Sequence, residues 1–205
     1  MEFLFRPGGK PKRLGILPGS FNPPTKAHLA LAEAALVEVD EVALVLPRTF
    51  PHKDYHGATF TQRAAMLCAS IERHPRLRAA TSDGGMFTDI ACECHAAYGP
   101  GISLSFICGR DAAERVVSWD YGDPNAIARM LVEFSLLVAS RQGDFQPPPR
   151  LAHRIRKLPM TADVDGISAS EVRRRIASGE RWEHLVPDAI VPMVREIYRP
   201  PAYSS

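Results

Sequence analysis

"RLGILPGSFNPPTKAHLALAEAALVEVDEVALVLP", residues 13–47, decides how this chain is built. A short apolar run (13–18) leads into a turn rich in glycine and proline, then an alanine-rich helical stretch (25–37), then a second apolar run (41–47). Short apolar runs bounded by turn residues read as strands, and a helix between two of them reads as a βαβ unit. The helix supplies the crossover that parallel strands require.

The same alternation continues outward. "TFTQRAAMLCASIER" (59–73) has helical spacing, with Ala65, Cys68, Ala69 and Glu72 at threes and fours. "RLRAATS" (76–82) is a weaker strand, and "TDIACECHAAYG" (88–99) is a helix stopped by glycine. "ISLSFICG" (102–109) is a buried strand, "DAAERVVSW" (111–119) a helix and "VEFSLLVAS" (132–140) another strand. The reading is an α/β fold: a parallel sheet with helices on both faces, which binds ligands outside the carboxyl ends of its strands. "RQGDFQPPPR" (141–150) is the clearest break. Beyond it come a strand at "RIRKLPM" and helices near 169–178 and 188–198. One domain is expected over 1–205, with a small C-terminal helical appendage from about 165 to 205.

Composition narrows the function. Hydrophobic residues make up 45% of the chain and charged residues 23%, and the formal net charge is +2. A near-neutral chain without interleaved aromatic and basic residues does not suit nucleic acid or a membrane surface. The apolar part of "MEFLFRPGGKPKR" is too short for a signal peptide, and no long apolar run follows. The four cysteines do not form a disulfide framework pattern, so a cytoplasmic protein is expected. "CECH" (92–95) is a weak metal candidate, because Cys92 and Cys94 point to different sides of a helix; buried structural roles are expected instead.

The turn "GSFNPPTKAH" (19–28) carries more than a connection needs. Gly19 permits a tight turn and close backbone approach. Pro23 and Pro24 suit a helix start, and Thr25 can cap it. His28 shares a face with Thr25. A helix start offers free N–H groups and partial positive charge, which suits phosphate and disfavours an imidazolium until an anion arrives. A capped turn with a locally satisfied histidine is the competing reading. "DGISASEVRRRIASGE" (165–180) is a second hydroxyl-rich helix start. Ser168 and Glu171 form an S-x-x-E capping box, Val172 and Ile176 a core stripe, and Gly179 a stop. Hydroxyls, N–H groups and the Arg173 guanidinium together describe a polyphosphate site.

The pair resembles the nucleotidylyltransferase superfamily, with its G-[S/T]-F-x-P-x-[H/T]-x-G-H turn and distal I-S-x-[S/T]-x-[I/V]-R. Here these stand as "GSFNPPTKAH" and "ISASEVR", with Thr25 at the first histidine and Ala27 at the glycine. "LPRTFPHKDY", "TFTQRAAML", "FICGRDAAERVVSW", "LLVASRQG" and "HLVPDAIVPMVREIYRPPAY" resemble segments of bacterial nicotinate mononucleotide adenylyltransferases. "GMFTDI" is a shortened form of another such segment.

The resemblance implies a Rossmann-like sheet and transfer of AMP from ATP to nicotinate mononucleotide, with release of pyrophosphate. It implies catalysis by His28, Thr25 and Arg173. It places Gly19, Ser20, Phe21, His28, Gly109, Asp111, Ser168, Ser170 and Arg173 on ATP. It places His52, Lys53, Thr88, Trp119 and Arg141 on the acceptor, with Trp119 on the pyridine ring; a core tryptophan is the competing reading. Mg2+ is expected on ATP itself, since no carboxylate cage is evident and no metal-site residues are assigned. A homo-oligomer is compatible with the sequence. Other acceptors (nicotinamide mononucleotide, phosphopantetheine or a cytidylyl acceptor) and a nucleotide-binding regulator without turnover remain alternatives.

Overall fold

The computed structural model describes residues 1–5, 9–49, 57–119, 122–123, 125–139, 145–160, 164 and 166–199. The βαβ unit is as expected: β2 (Arg13–Pro18), α1 (Lys26–Ala35) and β3 (Glu41–Pro47), the strands parallel, with Ile16 beside Ala43. β1 (Glu2–Phe5) precedes it. After it come α2 (Phe60–Ile71), β4 (Leu77–Ser82), α3 (Phe87–Tyr98), β5 (Ser103–Gly109), α4 (Arg110–Ser118), α5 (Ala126–Glu133), β6 (Ser135–Ala139), β7 (Ile155–Leu158), α6 (Ala169–Ala177) and α7 (Val191–Ile197). The seven strands lie in the order β1-β4-β3-β2-β5-β6-β7, all parallel except β1, which runs antiparallel to β4.

Strand alternation divides the core in two. Val42, Leu44 and Leu46 of β3 face α1 and α2, whose Leu31, Ala32, Ala35, Leu67 and Ile71 cover them. Ala43 and Val45 face the opposite way, into a cluster with Ile90 and Cys94 of α3, Ala113 of α4 and Ile127 and Leu131 of α5. Period-two side chains on a sheet covered on both faces produce this pattern, and it makes β3 apolar from Val42 onward. The chain winds from β2 toward β4 on one face, then crosses to β5 and winds the other way. The reversal falls between β2 and β5, so their carboxyl ends open a crevice.

A third cluster joins the appendage to the sheet. Met66 of α2 packs with Val172, Trp182, Leu185, Val186, Ile190 and Val194. The Gly179 stop is as expected: φ is +67°, Gly179 N–H donates to Ile176 O (3.2 Å) and Glu180 N–H to Arg175 O (2.8 Å), a Schellman pair.

The helix expected over 59–73 is α2, whose buried face is Arg63, Met66, Leu67, Ser70 and Ile71, with Ala65 and Glu72 exposed. Two expectations change. The strand expected from 132 begins at Ser135 instead: residues 126–133 form α5, anchored by Ile127 and Leu131. Cys92 is exposed while Cys94 is buried, so only one of the two has a core role, and burial pushes the Cys94 thiol up to about 12. Among the described residues, no helix is long and apolar enough to cross a membrane.

Candidate active site

A cleft of about 590 Å³ opens at the carboxyl ends of β2 and β5, where the topology reverses. Three helix N-termini converge on it. Thr25, Ala27 and His28 come from the start of α1, Gly109 to Ala112 from the start of α4, and Gly166 to Ala169 from the start of α6. Each start carries the positive end of a helix dipole, so the three together favour a polyanion. Arg110 and Arg115 of α4 also line the cleft. A Cβ at Gly109 would meet nothing within 4 Å, so this wall stands open.

The local chemistry of the turn fixes the histidine. Thr25 N–H donates to His28 Nδ1 at 3.0 Å, and the Thr25 hydroxyl lies 2.8 Å from the same nitrogen. A backbone N–H can only donate, so Nδ1 is an acceptor and the neutral ring carries its proton on Nε2. Thr25 is buried and holds the ring, while His28 lines the cleft. The Phe21 ring packs edge-on against His28, with centroids 5.1 Å apart.

Gly19 has a different cause from the one expected. A Cβ there would stand 3.0 Å from the Phe21 ring, so the glycine makes room for the turn's own phenylalanine. Phe21 is itself fully buried and backs His28 rather than lining the cleft. Ser20 contributes its carbonyl to a buried arginine, Arg63, at 3.0 Å. Arg173 donates to Asn22 O and to Ser170 Oγ (3.3 Å), which ties the two motifs together.

At the start of α6, Ser168 Oγ accepts from Glu171 N–H at 3.1 Å. The capping box is half formed: the Glu171 carboxylate turns to Arg174 and Arg175 instead, and their hydrogen bonds hold it down at about 2. Asp111 stands exposed in the first turn of α4.

The acceptor candidates are less closely gathered. Trp119 ends α4 and is 59% exposed, which rules out the core reading. Thr88 lies exposed in the first turn of α3. His52, Lys53 and Arg141 fall outside the described residues. Sequence reasoning did not single out Arg63, Arg110 or Arg115. Of these, Arg63 carried a signal, as the arginine of the "RAAML" stretch.

Among the described residues there is no group of three metal-ligating side chains. Among the described residues, Asp111 is the one carboxylate lining the cleft, and a single carboxylate suits a hydrated cation arriving on phosphate oxygens.

The fold and the cleft define a nucleotide-handling α/β protein, and the chain belongs to the cytidylyltransferase-like family, whose model matches residues 16–175. It is 34% identical over 92% of its length to a Bordetella avium protein named "Probable nicotinate-nucleotide adenylyltransferase", of which 99% is covered. A Moorella thermoacetica protein of the same name is 30% identical, with 98% of this chain and 96% of that one covered. Among solved structures it is similar to the nicotinic acid mononucleotide adenylyltransferase of Plasmodium falciparum complexed with NaAD. The TM-score is 0.65 at 20% identity, covering 91% of this chain and 97% of that one. That likeness carries the fold.

Proposed function

We propose that this protein transfers the adenylyl group of ATP to nicotinate mononucleotide, forming a dinucleotide and releasing pyrophosphate. The observation that carries the reading is the convergence of three helix N-termini on one cleft at the switch point of the sheet. The names of the Bordetella and Moorella relatives, which align over nearly their whole length, support the acceptor.

In this reading the acceptor's phosphate oxygen attacks the α-phosphorus of ATP. The bond from that phosphorus to the β-phosphate's bridging oxygen breaks, and pyrophosphate leaves. No protein nucleophile takes part; catalysis is positioning and neutralisation of charge. His28 donates from Nε2–H to the α-phosphate oxygens, and Thr25 keeps that proton on Nε2. Ser168, Ser170, Arg173 and the N–H groups of α6 receive the β- and γ-phosphates. Gly109 and Asp111 form the adenosine side. Trp119 stacks on the pyridine ring, with Thr88, His52, Lys53 and Arg141 completing the acceptor site. A Mg2+ arriving on the triphosphate would supply further charge neutralisation, and Asp111 would be the described cleft carboxylate able to reach its water shell. The free cysteines fit a reducing compartment, in keeping with cytoplasmic action on ATP.

The test is pyrophosphate release from ATP and Mg2+ with a panel of acceptors. Nicotinate mononucleotide should give the highest kcat/KM. A higher value for nicotinamide mononucleotide, phosphopantetheine or a sugar phosphate overturns the acceptor. No release with any of them overturns the enzyme in favour of a nucleotide-binding regulator.

A further inference from the structure

The turn at residues 19–22 has a backbone that its own residues disfavour. Phe21, which is not glycine, has φ of +45°. A left-handed residue with a Cβ persists only where its surroundings over-determine it. Here three donors from three elements hold the turn. Arg63 of α2 donates to Ser20 O, Arg173 of α6 to Asn22 O, and the Tyr198 hydroxyl, just past α7, to Asn22 Oδ1. Two of the three belong to the C-terminal appendage.

Tyr198 stands 176 residues from its partner in sequence, and its role is divided between its atoms. The ring packs against the apolar cluster of the appendage. The hydroxyl serves the turn alone in this bond. Burial raises the phenol above its ordinary range, so it remains a protonated donor at any working pH. Gly57 closes the seat from behind: a Cβ there would lie 3.2 Å from the Tyr198 ring and 3.5 Å from Asn22 Oδ1. The Asn22 side chain is therefore gripped, and the Asn22 backbone carbonyl is presented to Arg173.

We propose that Tyr198 is a positioning residue for the transfer reaction. By holding the Asn22 side chain, it fixes the carbonyl that anchors Arg173 and the Phe21 ring that backs His28. The C-terminal appendage is then a working part of the nucleotide site as well as a cover for α2. The inference rests on the reading of the turn as the ATP site.

The experiment is a double-mutant cycle of Tyr198→Phe and Asn22→Ala, assayed for pyrophosphate release at saturating ATP with nicotinate mononucleotide varied, alongside thermal melts. Tyr198→Phe keeps the ring and should keep the melting temperature. Its kcat should fall roughly 3–10-fold, the range of one buried hydrogen bond, with the acceptor KM unchanged. Asn22→Ala reports on the same bond from the other side and should lose at least as much. In the Asn22→Ala background, Tyr198→Phe should cost nothing further. A wild-type kcat in Tyr198→Phe, or losses that multiply in the double variant, overturns the assignment to Tyr198 while leaving the function intact. A wild-type protein that releases no pyrophosphate overturns the functional reading, and the assignment with it.

Discussion

Arg173 and Asn22 lie 151 residues apart in the sequence, and the guanidinium of one donates to the backbone carbonyl of the other. This contact joins the first motif to the last, although neither residue lines the cleft itself. A second N–H of the same fork reaches Ser170 Oγ at 3.3 Å, so the side chain is aimed before any ligand arrives. Arg173→Lys keeps the charge and loses the fork. It should lower kcat/KM for ATP about tenfold or more, since one ammonium cannot make both contacts along with a phosphate contact. Steady-state kinetics with ATP varied decide it: full activity in the lysine variant would reduce Arg173 to a point charge.

His28→Ala should lose about 10²–10³ in kcat, the typical cost of one donor to developing charge. The melting temperature should stay near wild type, because the ring lines the cleft. Thr25→Val tests the positioning step separately. It removes the hydroxyl and keeps the Thr25 N–H on Nδ1, so its loss should be much smaller than that of His28→Ala. Equal losses in the two variants would mean that the threonine hydroxyl itself takes part in the reaction.

Trp119→Ala should raise the acceptor KM several-fold to tens-fold, in line with about 0.5–1.5 kcal/mol for aromatic stacking beyond simple burial. The ATP KM should hardly move. Because Trp119 is 59% exposed, the melting temperature should barely change. A drop in stability, or equal effects on both substrates, contradicts the stacking role.

Glu93 gives a pH dependence with a definite sign. Burial pushes its carboxyl up, but the Met1 ammonium (2.8 Å), Ser82 Oγ (2.8 Å) and Gly84 N–H (3.2 Å) outweigh that and hold it below its ordinary 4.5. A carboxylate lowered by folding contributes stability above pH 4.5, and that stability is lost as pH falls through its folded value. Glu93→Gln should be less stable than wild type at pH 7 by about 1–3 kcal/mol. The gap should close below pH 4.5. Thermal melts of both proteins from pH 7 to pH 3 measure this; a gap that widens in acid refutes it.

Much of this was legible in the sequence, for reasons that particular residues make plain. The βαβ alternation showed because β3 is buried on both faces and reads as an apolar run from Val42 to Pro47. The two helix-start motifs showed because caps, turns and hydroxyls act over three or four residues. What was hidden acts at long range or against type. Arg63 is a buried arginine on an otherwise apolar face, a burial that spacing of apolar residues does not record. The Tyr198 bond to Asn22 joins a side-chain amide to a distant phenol, which no local pattern records. α5 was lost because it follows the turn-rich "WDYGDPN" and runs straight into the apolar β6. β1, four residues long, is too short to show a period.

Adenylyl transfer in the cleft between α1, α4 and α6 can be followed directly with ATP carrying a labelled α-phosphate, incubated with Mg2+, nicotinate mononucleotide and the wild-type protein. Label should appear in the dinucleotide product, with stoichiometric unlabelled pyrophosphate. Label remaining in ATP, or appearing in AMP without dinucleotide, would contradict it.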